Sequence, residues 1–218
     1  MQARAPGTPR ERLGEARLYL CCGARESGEL ESLLTRAVEG GVDVIQLREK
    51  SDDREEILRA AGIFRSVADR SGALFVLNDD PELAVAVDAD GVHVGQEDQA
   101  TADARRIVGS DRIVGLSTHD PSQLEGALED PEIDYFSAGP VWETPTKQGR
   151  PAAGLDYISL VSESAGSKPW FAIGAIDAGN IGEVLEAGAR RVCVVRAIAD
   201  ADDPLRAARG LKQAILST

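Results

Sequence analysis

The sequence predicts an α/β protein folded as a single (β/α)8 TIM barrel. Eight short apolar runs are spread along the chain, and amphipathic segments lie between them at a period of about 25 residues. Four of these runs end in charged, amide or hydroxyl residues. In parallel barrels the carboxyl ends of the strands meet on one face and carry the active site, so this pattern predicts one site at that face.

The eight apolar runs are short and often rich in Val or Ile, as is typical of strands that are buried on both faces. We predict strands at Leu18–Cys22, Val42–Leu47, Ala73–Leu77, Gly91–Val94, Ile113–Leu116, Tyr135–Ala138, Trp170–Ile173 and Val192–Val195. A doubly wound open sheet is the alternative. It should carry a Gly-x-Gly-x-x-Gly turn after the first strand, and the sequence has none there.

Helical periodicity marks the intervening segments. It is clearest in Glu29–Val38, Arg54–Ala68, Asn180–Ala187 and Pro204–Leu216. Asp53, Asp80 and Asp203 are predicted N-caps, because a short acidic side chain can accept the unpaired amides of a first helical turn. Several helical segments end in Gly just before the next strand, where a left-handed residue lets the chain turn back.

Length and charge restrict the function classes. The chain has 218 residues and a formal net charge of −13, near the lower end of length for an eight-fold barrel. We predict a disordered N-terminal tail over residues 1–15 and a catalytic barrel over residues 16–218. The acidic balance argues against nucleic acid and anionic membranes as partners, but it leaves room for a local basic cluster that binds a small anion.

Cellular location is inferred from absences in the sequence. No run approaches the roughly 18 apolar residues of a membrane span, and the N-terminus lacks the apolar core of a signal peptide. Three cysteines, two of them adjacent, do not form a disulfide framework. A cytoplasmic protein is therefore expected. The oligomeric state stays open, with a homodimer as one candidate.

Two clusters have the chemistry of phosphate binding. After the sixth run, a polar loop presents Thr144, Thr146 and Lys147, which supply two hydroxyls and an ammonium. The second run carries Gln46, Arg48 and Lys50, which share one side of a strand. Cations that point into a closed cavity need an anionic partner, and a structural salt bridge to Glu49 is the alternative.

A third cluster suits a divalent cation. Asn78, Asp79 and Asp80 follow the third run, and Asp98 follows the fourth. Because Asp80 precedes a proline, it is better interpreted as a helix cap. Asp79 and Asp98 can converge at the mouth of a phosphate site, where Mg²⁺ is commonly held by one or two carboxylates and substrate phosphates. A solvated loop acid is the alternative for Asp98.

The remaining strand ends carry weaker signals. Ser117 can donate to a phosphate oxygen, and His119 is either a proton carrier or a loop residue. Gly174 would let the backbone approach a phosphate after the seventh run. Arg196 follows the eighth run, and a salt bridge is its alternative. His93 is more simply interpreted as a packed core residue, and the two tryptophans likewise as packing residues.

Taken together, these motifs resemble thiamine phosphate synthase. They are Gln-Leu-Arg-Glu-Lys50, Asn-Asp-Asp80, Gly-x-His-x-Gly-Gln-Glu-Asp98, Ser-Thr-His119, Gly-Pro-Val…Thr-Pro-Thr-Lys147 and Val-Val-Arg-Ala-Ile198, and they run in order from about residue 42 to 198. The resemblance implies a (β/α)8 barrel that uses Mg²⁺. The implied reaction joins 4-amino-5-hydroxymethyl-2-methylpyrimidine diphosphate to 4-methyl-5-(2-phosphoethyl)thiazole and releases pyrophosphate.

The resemblance also implies residue roles, carried over one by one. Arg48, Lys50, Asn78 and Lys147 would hold the diphosphate with help from Ser117, and Asp79 and Asp98 would bind Mg²⁺. Gln46 would contact the pyrimidine. The thiazole phosphate would be held by Thr144, Thr146 and the backbone of Gly174, Val195 and Arg196. In this scheme Arg48, Lys50, Ser117 and Lys147 are the catalytic set, and they act by positioning and charge stabilisation.

Departures from the family pattern leave rivals to weigh. Ala175 replaces a Gly, which could narrow the phosphate corner, and Arg196 stands where some members have Ser. A thiazole tautomerase-like relative would share the fold without the coupling activity, and a non-catalytic phosphate sensor would bind without turnover. Both rank below the synthase because the diphosphate and metal residues are all present. An unrelated isomerase barrel would need an acid/base pair across the barrel, and the sequence offers none beyond His119 and Glu49.

Overall fold

The computed structural model describes residues 7–49, 53–144 and 151–218, and it confirms the predicted barrel. Eight parallel strands close in sequence order, with β1 paired to both β2 and β8. The strands are β1 Leu18–Cys22, β2 Val44–Leu47, β3 Leu74–Asn78, β4 Gly91–Val94, β5 Ile113–Thr118, β6 Tyr135–Ala138, β7 Trp170–Ile173 and β8 Val192–Val194.

Helices surround this barrel. They are α1 Pro9–Glu15, α2 Ser27–Glu39, α3 Arg54–Ser71, α4 Pro81–Ala86, α5 Thr101–Val108, α6 Pro121–Glu129, α7 Gly154–Ser164, α8 Ile181–Glu186, α9 Arg196–Ala199 and α10 Pro204–Leu216. The predicted caps Asp53, Asp80 and Asp203 are confirmed, since each side chain accepts first-turn amides. Asp120 caps α6 in the same way before Pro121. None of the helices in the described ranges has the length and apolar character that a bilayer crossing requires.

The N-terminal segment corrects a prediction. A disordered tail was expected over residues 1–15, but Pro9–Glu15 form α1, which begins with a capping box between Thr8 and Glu11. Leu13 is 1% exposed and packs with Ala16 against the barrel interior. Burial of Leu13 under the barrel offsets the entropy cost of ordering this segment. Residues 1–6 lie outside the described residues.

Two strand boundaries differ from the prediction in a way that matters for the site. β3 continues to Asn78 and β5 continues to Thr118, so Asn78 and Ser117 lie within strands and not in the loops beyond them. The polar ends of these strands pair with their neighbours, Asn78 with His93 and Ser117 with Ser137. Their side-chain directions are therefore fixed by the pleat of the sheet.

The strands divide the core into two layers. In β1, Leu18, Leu20 and Cys22 face the helices, whereas Tyr19 and Cys21 face the barrel interior. The outer layer is mostly aliphatic. The inner layer has fewer residues, and three of them are aromatic. In it, Phe171 packs edge-on against Tyr19 and Tyr135, with ring centroids 5.2 and 5.7 Å apart.

Three aspartates, here called the base aspartates, lie at the amino end of alternate strands: Asp43 before β2, Asp90 before β4 and Asp134 before β6. Each accepts a backbone N–H from the preceding strand: Leu18 at 2.9 Å, Phe75 at 2.8 Å and Val114 at 2.8 Å. Each also binds a cation, namely Lys212, Arg65 and Arg105 respectively. The base aspartates thus link neighbouring strands in pairs at the end of the barrel opposite to the predicted site.

Candidate active site

A cavity of about 330 Å³, here called the apolar chamber, opens at the carboxyl end of the barrel. Its floor comes from inward-facing strand residues, and its rim comes from the loops after β6, β7 and β8. The lining residues used below are Gln46, Arg48, Asn78, His93, Ser117, His119, Thr144, Gly174, Ala175, Val195 and Arg196. The volume and partly buried floor suit a heteroaromatic ligand with charged substituents.

A second cavity of about 220 Å³, the polar chamber, adjoins the first. It is lined by Arg48, Asn78, Asp79, Gly95, Gln96, Glu97, Asp98, Ser117 and His119. Arg48, Asn78, Ser117 and His119 therefore line both chambers. A ligand group at this shared wall would be in reach of an arginine and two carboxylates at once.

Arg48 was predicted to bind an anionic ligand, with a structural salt bridge to Glu49 as the alternative. Among the residues that the structure describes, none forms an ion pair with Arg48. The Glu49 carboxylate instead accepts the Ala24 backbone N–H at 2.7 Å. An arginine that lines a cavity and has no described ion-pair partner favours the anion interpretation.

Asp79 and Asp98 both line the polar chamber, as expected from the ends of two adjacent strands. Asp79 has a left-handed φ of 67°, and its backbone N–H donates to the His93 carbonyl at 2.8 Å. Asp98 accepts the Gly95 N–H at 2.7 Å. Aspartate adopts this conformation at lower cost than most non-glycine residues, so the turn fixes the Asp79 carboxylate at the chamber with little strain.

The donor set fits Mg²⁺ in a limited sense. Within the described ranges no group of three or more acidic, His or Cys side chains could enclose a metal ion alone. Two carboxylates beside a phosphate-sized space match the way Mg²⁺ is usually bound, because the ion keeps waters and takes substrate oxygens as further ligands.

The opposite rim of the apolar chamber forms a corner between β7 and β8. Gly174 has a φ of 116°, and a Cβ there would lie 2.4 Å from the Cα of Pro140, so only glycine fits. Ala175, the departure from the family pattern, has a left-handed φ of 53°. Val195 and Arg196 line the same corner, and no described carboxylate pairs with the exposed Arg196. Thr144 completes it.

Three predicted site residues cannot be placed. Lys50, Thr146 and Lys147 lie outside the described residues, so their roles stay predictions. Thr144, the last described residue before that gap, lies at the chamber.

His119 is a loop-holding residue in this structure. Its imidazole Nδ1 contacts the Gly139 carbonyl at 2.5 Å, next to the cis Gly139–Pro140 bond. Its backbone N–H donates to the Gln123 side chain at 2.9 Å. Of the two interpretations for His119, the contacts with the β6 loop favour the loop residue.

His93 was interpreted as a packed core residue, and that is only half right. It is 7% exposed, but its ring lines the apolar chamber and bonds Tyr135 and Ser117. The alternation of side chains along β4 could have predicted this position, because Val92 and Val94 face the helices and His93 must then face the barrel interior. Sequence reasoning also missed Tyr19 and Tyr135, whose pKa values are raised chiefly by burial, so both hydroxyls stay neutral.

Other candidates for chemistry are accounted for by packing. Cys22 lies in the outer core layer, and burial raises the pKa of its thiol, which makes it a poor nucleophile. Both tryptophans have packing roles, as predicted: Trp170 is buried in the outer core layer, and the partly buried Trp142 packs against that layer.

The fold and site have close counterparts among known proteins. The family model described as thiamine monophosphate synthase matches residues 18–198. A thiamine-phosphate synthase of Acidothermus cellulolyticus is 52% identical over 197 residues, covering 90% of this chain and 93% of the relative. One of Thermus thermophilus is 52% identical over 200 residues, covering 90% and 96%. The solved structure of a thiamine phosphate pyrophosphorylase from Pyrococcus furiosus superimposes with a TM-score of 0.83 at 29% identity, covering 95% of this chain and 98% of that one.

Proposed function

The chain belongs to the thiamine monophosphate synthase family and is a transferase of thiamine biosynthesis, and from this membership we propose how its two chambers divide one coupling reaction. The pyrimidine ring occupies the floor of the apolar chamber against Gln46. Its diphosphate extends over the shared wall into the polar chamber. The thiazole phosphate binds at the corner formed by Thr144, Gly174, Val195 and Arg196.

The observation that carries this division is the shared wall. Arg48, Asn78 and Ser117 line both chambers, so they can hold a diphosphate whose ring lies on one side and whose cation lies on the other. Arg48 supplies charge and a forked set of donors, and Asn78 and Ser117 supply neutral donors. Lys50 and Lys147 are proposed to add positive charge to the same group.

Asp79 and Asp98 are proposed to hold Mg²⁺ in the polar chamber. When bound there, the ion would neutralise charge on the diphosphate and so make it a better leaving group. The chain's own contribution is the position of the two carboxylates. Asp79 is fixed by its backbone contact with β4, and Asp98 by its contact with Gly95.

The thiazole phosphate corner depends on close backbone approach. Because Gly174 has no Cβ, the chain can pass within contact distance of Pro140 and still leave space in the corner. Thr144, and by proposal Thr146, supply hydroxyl donors from the β6 loop. The exposed Arg196 adds a positive charge at the rim.

The chemistry then needs no protein nucleophile. The C–O bond between the pyrimidine methylene carbon and the diphosphate breaks, and its electron pair leaves with pyrophosphate. The thiazole nitrogen lone pair forms the new C–N bond. The residues of the site hold both partners in line, stabilise the charge that develops on the leaving group, and keep competing water away from the cationic carbon.

A coupling assay tests this proposal. Pyrimidine diphosphate, thiazole phosphate and graded Mg²⁺ are mixed with enzyme, and thiamine phosphate and pyrophosphate are measured. Asp98→Asn should lower turnover by about 10²-fold or more and should weaken binding of Mn²⁺, used as a probe, in the presence of pyrophosphate. Asp103→Asn, an exposed residue of α5, is the matched control. Normal metal dependence in Asp98→Asn would remove this residue from the metal role.

Two further expectations complete the proposal. The three cysteines are buried and none forms a disulfide, which suits a reducing cytoplasm. A homodimer is proposed as the assembly, and light scattering at several protein concentrations tests it. A mass near 23 kDa at all concentrations would contradict the dimer without affecting the catalytic proposal.

A further inference from the structure

A chain of buried hydrogen bonds crosses the floor of the apolar chamber. Gln46 Nε2 donates to the Tyr19 hydroxyl at 2.9 Å, and the Tyr19 and Tyr135 hydroxyls are 3.0 Å apart. The Tyr135 hydroxyl lies 2.9 Å from His93 Nδ1, and His93 Nε2 lies 3.0 Å from Ser117 Oγ. We call these five residues the relay. Its two ends and His93 line the chamber, but neither tyrosine does.

We propose that Tyr19, Tyr135 and His93 are positioning residues that give the relay a single polarity, that is, one direction of hydrogen-bond donation. This polarity orients the Gln46 amide so that it offers the ligand one acceptor and one donor. It also makes Ser117 a donor toward the ligand. This inference deepens the proposed function, on which its ligand assignments rest. The relay itself is a property of the protein without substrate.

The polarity follows from counting protons. The Gln46 amide nitrogen only donates, so the Tyr19 oxygen accepts. The Tyr19 hydroxyl then donates its single proton to the Tyr135 oxygen, and the Tyr135 hydroxyl donates its own to His93 Nδ1. His93 therefore carries its proton on Nε2 and donates it to Ser117 Oγ. Both tyrosine hydroxyls then have a donor and an acceptor.

The opposite polarity leaves one group unsatisfied. If His93 carried its proton on Nδ1, Tyr135 would have to donate to Tyr19. Tyr19 would then accept twice, and its own buried proton would have no acceptor in the relay, which is costly. The Ser117 proton would also turn inward toward His93 Nε2, away from the ligand. The same conflict at Tyr19 arises for a doubly protonated imidazole.

The surroundings hold the relay in place. Tyr19 and Tyr135 are 2% and 0% exposed, and burial raises the pKa of both, so neither loses its proton near neutral pH. Gly115 leaves the necessary space, because a Cβ there would lie 2.3 Å from the Tyr135 ring and 2.6 Å from His93 Nδ1. Phe171 packs edge-on against both tyrosine rings.

The consequence for the ligand lies at the two ends. Ser117 Oγ accepts from His93, so its proton is directed to the shared wall, where the diphosphate is proposed to bind. Gln46 uses one N–H on Tyr19 and keeps its carbonyl oxygen and second N–H for the ring. An acceptor beside a donor complements the edge of an aminopyrimidine.

The first test is NMR on the substrate-free enzyme. The chain has two histidines, so long-range ¹H–¹⁵N correlation of the imidazoles gives two patterns, and His119→Asn assigns them. His93 should show the neutral Nε2–H tautomer. The Nδ1–H tautomer, or an imidazolium at neutral pH, would overturn the proposal whatever the enzyme's activity.

The second test separates the two ends. Tyr135→Phe should lose the pure Nε2–H tautomer and lower kcat about tenfold, which equals about 1.4 kcal/mol, while KM for the thiazole phosphate stays unchanged. Tyr19→Phe frees Gln46 but leaves Tyr135 bonded to His93. It should keep the tautomer and raise KM for the pyrimidine diphosphate.

Tyr157→Phe is the matched control. It removes another buried hydroxyl, which donates to Thr118 Oγ1 at 2.8 Å outside the relay, and should change neither the tautomer nor kcat. Tyr135→Phe with unchanged tautomer and unchanged kcat would overturn the proposal. If Tyr135→Phe does not fold, the tautomer of the parent enzyme and the KM of Tyr19→Phe still decide it.

Discussion

The two ends of the barrel differ in whether their charged side chains have partners within the protein. At the amino end each base aspartate accepts a strand N–H and pairs with a cation, so Asp43, Asp90 and Asp134 all have partners within the protein. At the carboxyl end Arg48 lines both chambers and has no described ion-pair partner. Charged residues are common at both ends, and the difference lies in whether the protein supplies their partners.

This difference separates structural from functional charge. A saturated carboxylate contributes to folding, and its loss should reduce stability without touching chemistry. An arginine held at a cavity without a partner costs stability and is useful only when a ligand arrives. The following variants test that rule, beginning with the largest expected effect.

Arg48→Met should lower kcat/KM by about 10²–10³-fold, or about 2.7–4 kcal/mol of transition-state stabilisation. Thermal stability should stay within about 0.5 kcal/mol of the parent, because no described partner loses its ion pair. Steady-state kinetics and thermal unfolding measure the two effects. Arg105→Met at the amino end is the control and should show the reverse pattern. A large loss of stability in Arg48→Met would break the comparison.

Asp90→Asn should reduce the free energy of unfolding by about 3 kcal/mol, since it removes the buried charge partner of Arg65 and leaves only the more exposed Asp69 to pair with it. The Asp90 side chain is 1% exposed and lies 3.0 Å from Arg65. Denaturant unfolding measures the loss, and kcat of the folded variant should match the parent. Asp200→Asn, which removes an exposed ion pair with Arg25, should cost less than about 1 kcal/mol. A fall in kcat for Asp90→Asn would contradict its structural role.

Ala175→Gly should stabilise the protein by about 0.5–1 kcal/mol. A left-handed alanine costs roughly 1–2 kcal/mol, from which the extra chain entropy of unfolded glycine, about 0.5–1 kcal/mol, must be subtracted. Asp88→Gly, at a φ of 52°, is the control and should gain nothing, because aspartate tolerates this conformation and here also pairs with Arg112. A loss of stability in Ala175→Gly would mean that the strain at this corner is offset by its contacts.

Asp203→Asn should have the smallest effect, a slight loss of stability near neutral pH that disappears in acid. The pKa of Asp203 is lowered first by the backbone N–H of Arg206 and then by the Arg36 side chain. Its stabilisation is therefore present above the unfolded pKa of about 3.9 and is lost as the pH falls through the lower folded pKa. Unfolding from pH 6 to pH 2 should show this loss in the parent but not in the variant, because asparagine does not titrate although it still caps α10. Equal acid slopes would contradict the assignment, and kcat at neutral pH should be unaffected.

Much of the fold was predictable because its signals are local. Strands buried on both faces are recognised as apolar runs, and caps such as Asp80 and Asp203 precede prolines at helix starts. The base aspartates escaped prediction, since a polar residue before a strand is typical of any loop. Their role appears only when β1, β3 and β5 are placed beside their partners. Helix α1 was missed because Leu13 is its single buried residue, too little apolar periodicity to detect.

The site was predictable where a motif sits at a strand end. Gln46, Arg48, Asn78, Asp79, Asp98, Ser117, Thr144 and Gly174 were all expected at the carboxyl face, and the structure places them there. The relay was not predictable, because Tyr19 and Tyr135 meet across the barrel from positions 116 residues apart. Only the closed geometry brings those hydroxyls within a hydrogen bond.

The two adjoining chambers have a consequence for how turnover ends. In the proposed binding mode, coupling leaves an organic product along the apolar chamber and an inorganic one in the polar chamber, and Arg48, Asn78, Ser117 and His119 line both. Each product then occupies its own chamber, so departure of one need not await departure of the other. On this proposal the enzyme should show random product release, with each product inhibiting competitively against the substrate whose chamber it occupies.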